Sequence, residues 1–199
     1  MTKTKQVLLE QIKADIIKND ICPNLAREAK NLVMGDGNIN ADIVIIGEAP
    51  GKKEDELGLP FMGAAGKFLN EMLASVNIDR SDVYITNIVK YRPPKNRDPS
   101  IEEKEEFWPY LLRQLDVIQP KIVVTLGRHS MGYFLPDQKI GEVHGRPSQV
   151  SFSNQKITVV PLYHPAAALY RRSMREILTD DFNKLPKIIN NLKRKDPSQ

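Results

Sequence analysis

ADIVIIGEAPGKKEDELGLPF, residues 41–61, begins with a short Ile/Val run, 42–46, closed by Gly47. A compact run of this kind is the pattern of a strand buried on both faces. Directly after it come Glu48, a Pro50-Gly51 turn and a charged cluster at 52–56 that reads as a polar loop. A carboxylate at the carboxyl end of a buried strand, beside backbone that glycine makes approachable, marks the ligand edge of an open α/β sheet.

Outward from this segment, the chain alternates between strand and helix patterns. Val7, Leu8, Ile12, Ile16 and Ile17 recur at helical spacing over 6–18, and Phe68, Leu69, Met72, Leu73 and Val76 do so over 64–76. Residues 19–40 read as a connector with a short helix at 25–30. VYITNIV (83–89) and KIVVTLG (121–127) are further buried strands, the first interrupted by the polar Asn87. Ser100, with Glu103 three residues on, opens a helix over 101–119 as a capping box. A short helix follows at 129–134. Residues 150–152 and 157–160, around Ser153-Asn154-Gln155, form a hairpin whose second arm enters the sheet and leaves through Leu162-Tyr163-His164-Pro165. A last helix spans 176–192. This order predicts one α/β domain over 1–199, a three-layer αβα sandwich around a mostly parallel, four-stranded sheet.

Composition narrows the function classes. With 199 residues, 41% apolar and 27% charged, the chain reads as globular. A net charge of +4 and a pI near 9.1 lean mildly toward polyanionic partners. No apolar run is long enough for a membrane span and MTKTKQ is no secretory signal, so a cytoplasmic protein without membrane association is expected. The single cysteine, Cys22, excludes an internal disulfide and any metal centre built from several thiolates of this chain.

Three polar residues terminate predicted strands: Glu48, Asn87 and His164. In a parallel sheet such ends share one edge, so the three are expected to converge. Asn87 within an apolar strand needs a partner, because a buried amide costs about 1–3 kcal/mol when unpaired. Its side-by-side donor and acceptor suit the edge of a nucleobase.

Three blocks, GEAPGKKEDELGLPFMGAAGKFL (47–69), VYITNIVKYRPPKNRDP (83–99) and LYHPAAALYRR (162–172), together with the intervening QPKIVVTLG, resemble the uracil-DNA glycosylase superfamily, most closely its family-four enzymes. The resemblance covers roughly residues 22–172. It implies hydrolysis of the N-glycosidic bond of flipped-out deoxyuridine in single- or double-stranded DNA by a monomeric enzyme. It also implies roles: Phe61 stacks on the base, Asn87 reads uracil N3 and O4, and His164 stabilises the departing anion at O2. Gly47, Glu48 and Ala49 line the base through their backbone, and Glu54 stands near C5 against thymine's methyl group. Glu48 either handles the attacking water or faces the oxocarbenium-like sugar. Other branches carry an acid two residues after the first glycine, where this chain has Ala49.

Lys90, Arg92 and Arg97 are expected at DNA phosphates, with Lys95 beside them. Ala166, Leu169 and Arg171 of the third block join them, and Leu169 or Tyr170 is the candidate wedge where the nucleotide leaves the stack. Family-four enzymes are usually marked by an iron–sulfur cluster. The four ligand positions here read Asn19, Cys22, Tyr91 and Phe107, so no cluster, metal or other cofactor is expected. Two alternatives remain open: a DNA-binding module of the same fold that has lost or altered catalysis, and a relative that crosslinks to the abasic sugar. The latter carries a histidine-bearing basic loop after the second block, and KYRPPKNRDP has no histidine.

Overall fold

The computed structural model describes residues 4–152 and 155–195. The strands are β1 (Asp36–Gly37), β2 (Ile43–Gly47), β3 (Tyr84–Asn87), β4 (Ile122–Leu126), β5 (Ser148–Phe152) and β6 (Gln155–Leu162). They form one sheet in the order β1-β3-β2-β4-β6-β5. The four central strands are mutually parallel, and the outer pairs, β1 with β3 and β5 with β6, are antiparallel. The expected four-stranded sheet is therefore a parallel core with an added antiparallel strand at each edge. The hairpin expectation holds for its two arms; its turn, Ser153-Asn154, lies outside the described residues.

The helices are α1 (Lys5–Lys18), α2 (Pro23–Glu28), α3 (Lys52–Leu57), α4 (Ala64–Ser75), α5 (Ile101–Ile118), α6 (Arg128–Gly132), α7 (Ile140–Val143), α8 (Ala166–Tyr170) and α9 (Arg172–Lys195). Strand alternation divides the core in two. Val44 and Ile46 of β2, with Val123 and Val159, pack on Ile12 and Ile16 of α1 and Phe107, Leu111 and Leu115 of α5. Ile45, with Ile85, Val124 and Val160, faces the other way, onto Leu69 and Leu73 of α4 and Leu178, Phe182 and Leu185 of α9. These are the three layers of an αβα sandwich.

The predicted capping box is present: Ser100 Oγ accepts from Glu103 N at 3.2 Å, and Glu103 Oε2 accepts from Ser100 N at 2.8 Å. The charged cluster read as a loop is instead α3, opened at Gly51 and stopped by Gly58 in the left-handed region at φ 71°. Its Asp55 is buried and accepts the backbone N–H groups of Lys30 and Asn31 at 2.8 and 3.1 Å, tying the connector to the sheet edge. No helix among the described residues is long and apolar enough to cross a membrane.

Candidate active site

The register of the parallel strands assembles the site. Gly47 pairs with Asn87 across β2 and β3, and Leu126 pairs with Leu162 across β4 and β6. The residues just beyond these ends, Glu48, Gly127 and His164, therefore meet along one edge of the sheet. A cleft of about 510 Å³ opens there, lined among others by Glu48, Ala49, Glu54, Phe61, Asn87 and His164. Gly47 lies behind its wall. A Cβ at that position would overlap both Asn87 Oδ1 and the Phe61 ring, so the glycine lets amide and aromatic close on the same backbone.

Phe61 sits at φ 54°, an uncommon conformation for a bulky residue, and its surroundings account for it. Glu54 Oε1 accepts from the N–H groups of Met62 and Gly63 at 2.7 and 2.8 Å, and Arg80 Nη2 donates to Pro60 O at 2.8 Å. On the other side Gly66 of α4 lies so close that a Cβ would overlap the Phe61 carbonyl. The ring then faces His164, with centroids 5.8 Å apart and planes 29° from parallel. Glu54, expected at the base, thus also clamps the aromatic loop.

His164 Nδ1 accepts the Ala166 N–H at 3.2 Å. In the neutral ring the proton is consequently on Nε2. Burial pushes the imidazole down to about 4, against a smaller opposing pull from Glu54, so the ring is a neutral N–H donor at physiological pH. Gly127, at φ 92°, comes within 3.3 Å of His164 Cβ where its own Cβ would stand, which permits β4 to end against the histidine.

Glu48 is pushed up to about 7, first by burial and then by the Asp98 carboxylate, with Lys104 and Arg128 pulling the other way. Its Oε1 is sealed from solvent and has no hydrogen-bond partner among the described residues. His129 Nε2 stands 3.5 Å from it and 3.5 Å from Asp98 Oδ2. Sequence reasoning placed a short helix here but missed His129 as a neighbour of the site. Its signal was position alone, three residues beyond the end of a third parallel strand, β4.

The basic residues divide. Lys90 is a correction: it is fully buried, not on a DNA-facing surface. Its Nζ donates to Thr86 Oγ1 at 2.7 Å and to the backbone carbonyl of Asn87 at 2.6 Å, and burial alone holds its ammonium form well below the usual lysine range. Arg97 lines the cleft, held by Glu103 at 2.6 and 2.8 Å. Arg92 donates to Asn96 Oδ1 at 2.7 Å, and Arg92 and the exposed Arg171 stand outside the lining. Lys52 and Lys53 of α3, which sequence reasoning did not select, join it. Ala166 and Leu169 also line the cleft, whereas Tyr170, 88% exposed, is not part of the lining.

The corner corresponding to the cluster-ligand positions is filled by packing. Tyr91 meets Phe107 edge to face with centroids 5.8 Å apart, and Asn19 Nδ2 donates to Tyr110 Oη at 3.0 Å. Burial, then the Glu106 carboxylate, pushes the Cys22 thiol up, far from the thiolate a metal requires. One protonated thiol, an amide and two aromatic rings do not fit a four-thiolate cluster.

Comparison with known proteins agrees with this architecture. The family model described as "Uracil DNA glycosylase superfamily" matches residues 34–193. A type-4 uracil-DNA glycosylase of Sulfurisphaera tokodaii is 46% identical over 185 residues, covering 89% of this chain and 83% of the relative. One from Archaeoglobus fulgidus is 46% identical over 182 residues, with 89% and 91% covered. A third, from Thermotoga maritima, is 37% identical over 188 residues, with 94% and 97% covered. On these matches and this fold, the chain belongs to the uracil DNA glycosylase superfamily.

Proposed function

We propose that the cleft excises uracil from DNA by a cluster-free mechanism in which Phe61, Asn87, His164 and Glu48 carry the site. The observation that supports it most is the meeting of an aromatic face, a carboxamide, a neutral imidazole N–H and a carboxylate in one cleft. Extruding a nucleotide costs stacking and pairing, which the Phe61 ring and the Asn87 amide offset. As the bond between C1′ and N1 breaks, its electron pair leaves with uracil, and charge gathers on O2. The His164 Nε2–H is a preorganised donor for that charge. Water then attacks C1′, and ionised Glu48 accepts its proton. The free base and an abasic sugar result.

Lys52, Lys53, Arg97 and Arg171 supply sequence-independent contacts to the phosphates of single- or double-stranded DNA, and Leu169 at the cleft is the wedge. The enzyme works as a monomer. It carries no iron–sulfur cluster, a reading supported by the packed corner of Asn19, Cys22, Tyr91 and Phe107. Purified protein, with its iron content measured, is incubated with an oligonucleotide containing one uracil and then treated with alkali. Strand breakage at the uracil by iron-free protein is the expected result. Binding without breakage would identify a module that has lost turnover.

A further inference from the structure

Glu48 presents two different oxygens. Its side chain lines the cleft and is 20% exposed, yet Oε1 is sealed inside, so the exposed edge of the carboxylate faces the cleft. A buried acceptor without a donor costs free energy, and something behind it is expected to satisfy it. The groups that face it come from three elements: Asp98 from the loop after β3, Lys104 from the first turns of α5, and Arg128 and His129 from α6.

Lys104 is 8% exposed, and its Nζ lies 3.4 Å from His129 Nδ1. An ammonium can only donate, so this contact leaves Nδ1 as acceptor and puts the imidazole proton on Nε2, the nitrogen 3.5 Å from Glu48 Oε1. Arg128 Nε also lies 3.2 Å from Nε2, a contact that needs the opposite tautomer. The Arg128 side chain is 72% exposed and free to turn to solvent, whereas Lys104 is not. Only the tautomer set by Lys104 gives the buried groups partners. Burial first, then Lys104 and Arg128, pushes His129 down and favours the neutral ring that this arrangement uses, while Asp98 pulls the other way by its charge and a hydrogen bond to the same ring. Asp98 Oδ2 stands as close to Nε2 as Glu48 Oε1 does, but its side chain is 68% exposed and is satisfied by water, whereas the sealed Oε1 is not.

We propose that His129 is a positioning residue for the catalytic carboxylate: it donates from Nε2 to Glu48 Oε1 and keeps the opposite oxygen turned to the attacking water. A separation of 3.5 Å is loose for this bond, and catalytic hydrogen bonds commonly tighten when substrate closes the site. Glu48, Asp98 and His129 also bring one ligand atom each within 4.8 Å of one another. Lys104 and Arg128 make that cluster a poor seat for a cation and a good one for an anionic carboxylate. The assignment rests on the glycosylase reading, in which Glu48 must be ionised to take the proton from water.

The test is the pH profile of single-turnover uracil release for the parent, His129→Leu, His129→Gln and Glu48→Gln. Leucine keeps the site dry but removes the donor, so the limb on which activity rises with pH should move upward by roughly one unit. The plateau should fall by less than the roughly 10²-fold expected for losing the base itself. His129→Gln, whose amide N–H reaches a similar point, should return the limb toward the parental position. Affinity for DNA containing an uncleavable deoxyuridine analogue, and melting temperature, should stay parental, which a merely structural histidine would not allow. A limb at the parental pH in His129→Leu, with Glu48→Gln inactive, overturns the role of His129 and leaves the glycosylase reading standing. A fully active Glu48→Gln overturns the role of Glu48 itself.

Discussion

His164 shows how one side chain acquires its chemistry from its neighbours. A free imidazole near neutrality is a mixture of charged and neutral forms, and its proton can sit on either nitrogen. Here burial selects the neutral form and the Ala166 N–H selects the tautomer, leaving one donor on Nε2. Such a donor matters most when uracil O2 carries charge, so His164→Ala should slow the single-turnover chemical step by on the order of 10²–10³. Affinity for an uncleavable deoxyuridine analogue should change far less, since that charge develops only in the transition state. Parental cleavage by a variant with normal melting would remove His164 from the mechanism. Lys90 teaches the converse. Its sequence neighbours, Tyr91 to Pro99, form a basic, proline-rich loop, and composition placed it there. The chain instead turns it inward to hold the carbonyl of Asn87.

At the scale of elements, the helices and parallel strands with clear apolar periodicity lie within a few residues of their expected bounds, as α1, α4, α5, β2 and β4 do. The elements that escaped are those without an apolar pattern. β1 is two residues, Asp-Gly, and α3, KKEDEL, is charged at five of its six positions. The start of α4 illustrates how elements hold the site. Gly66 is pressed against the Phe61 backbone, which has no freedom to retreat because Glu54 and Arg80 hold the same loop. Gly66→Ala should therefore destabilise the fold by roughly 1–3 kcal/mol and weaken binding of the deoxyuridine analogue, as judged by urea denaturation and by titration. Gly132→Ala in α6, where a Cβ meets nothing within 4 Å, is the matched control and should leave both unchanged or slightly improved.

For the molecule as a whole, the site makes opposing contributions to stability. Glu48 is raised to about 7. Between its unfolded value and about 7 the folded state therefore binds more protons than the unfolded chain, and stability falls as pH rises through that window. His164 is lowered to about 4. Between about 4 and its unfolded value the unfolded chain binds more protons, and stability rises with pH. The two slopes overlap and largely offset each other. Removing one side should expose the other: relative to the parent, Glu48→Gln should gain stability as pH rises from 4.5 to 7. His164→Gln should lose stability over 4 to 6.5 by the same measure. Denaturation midpoints at several pH values check both, and parallel curves for all three proteins would refute the assigned protonation states.

Sequence alone was enough to specify the layers, the parallel core, the family resemblance, and the arrival of Glu48, Asn87 and His164 at one edge. The resemblance rests on three motif blocks, and the others follow from local periodicity or from the rule that parallel strands share their carboxyl ends. Only the tertiary structure decided which groups surround those three. Lys104 and His129 reach Glu48 from other elements, Lys90 turns inward, and Glu54 closes on the backbone of the Phe61 loop. Contacts between residues distant in sequence depend on how helices pack across the sheet, and no spacing along the chain encodes them. The ionisation states follow the same division, because burial sets them and burial is a property of the folded chain.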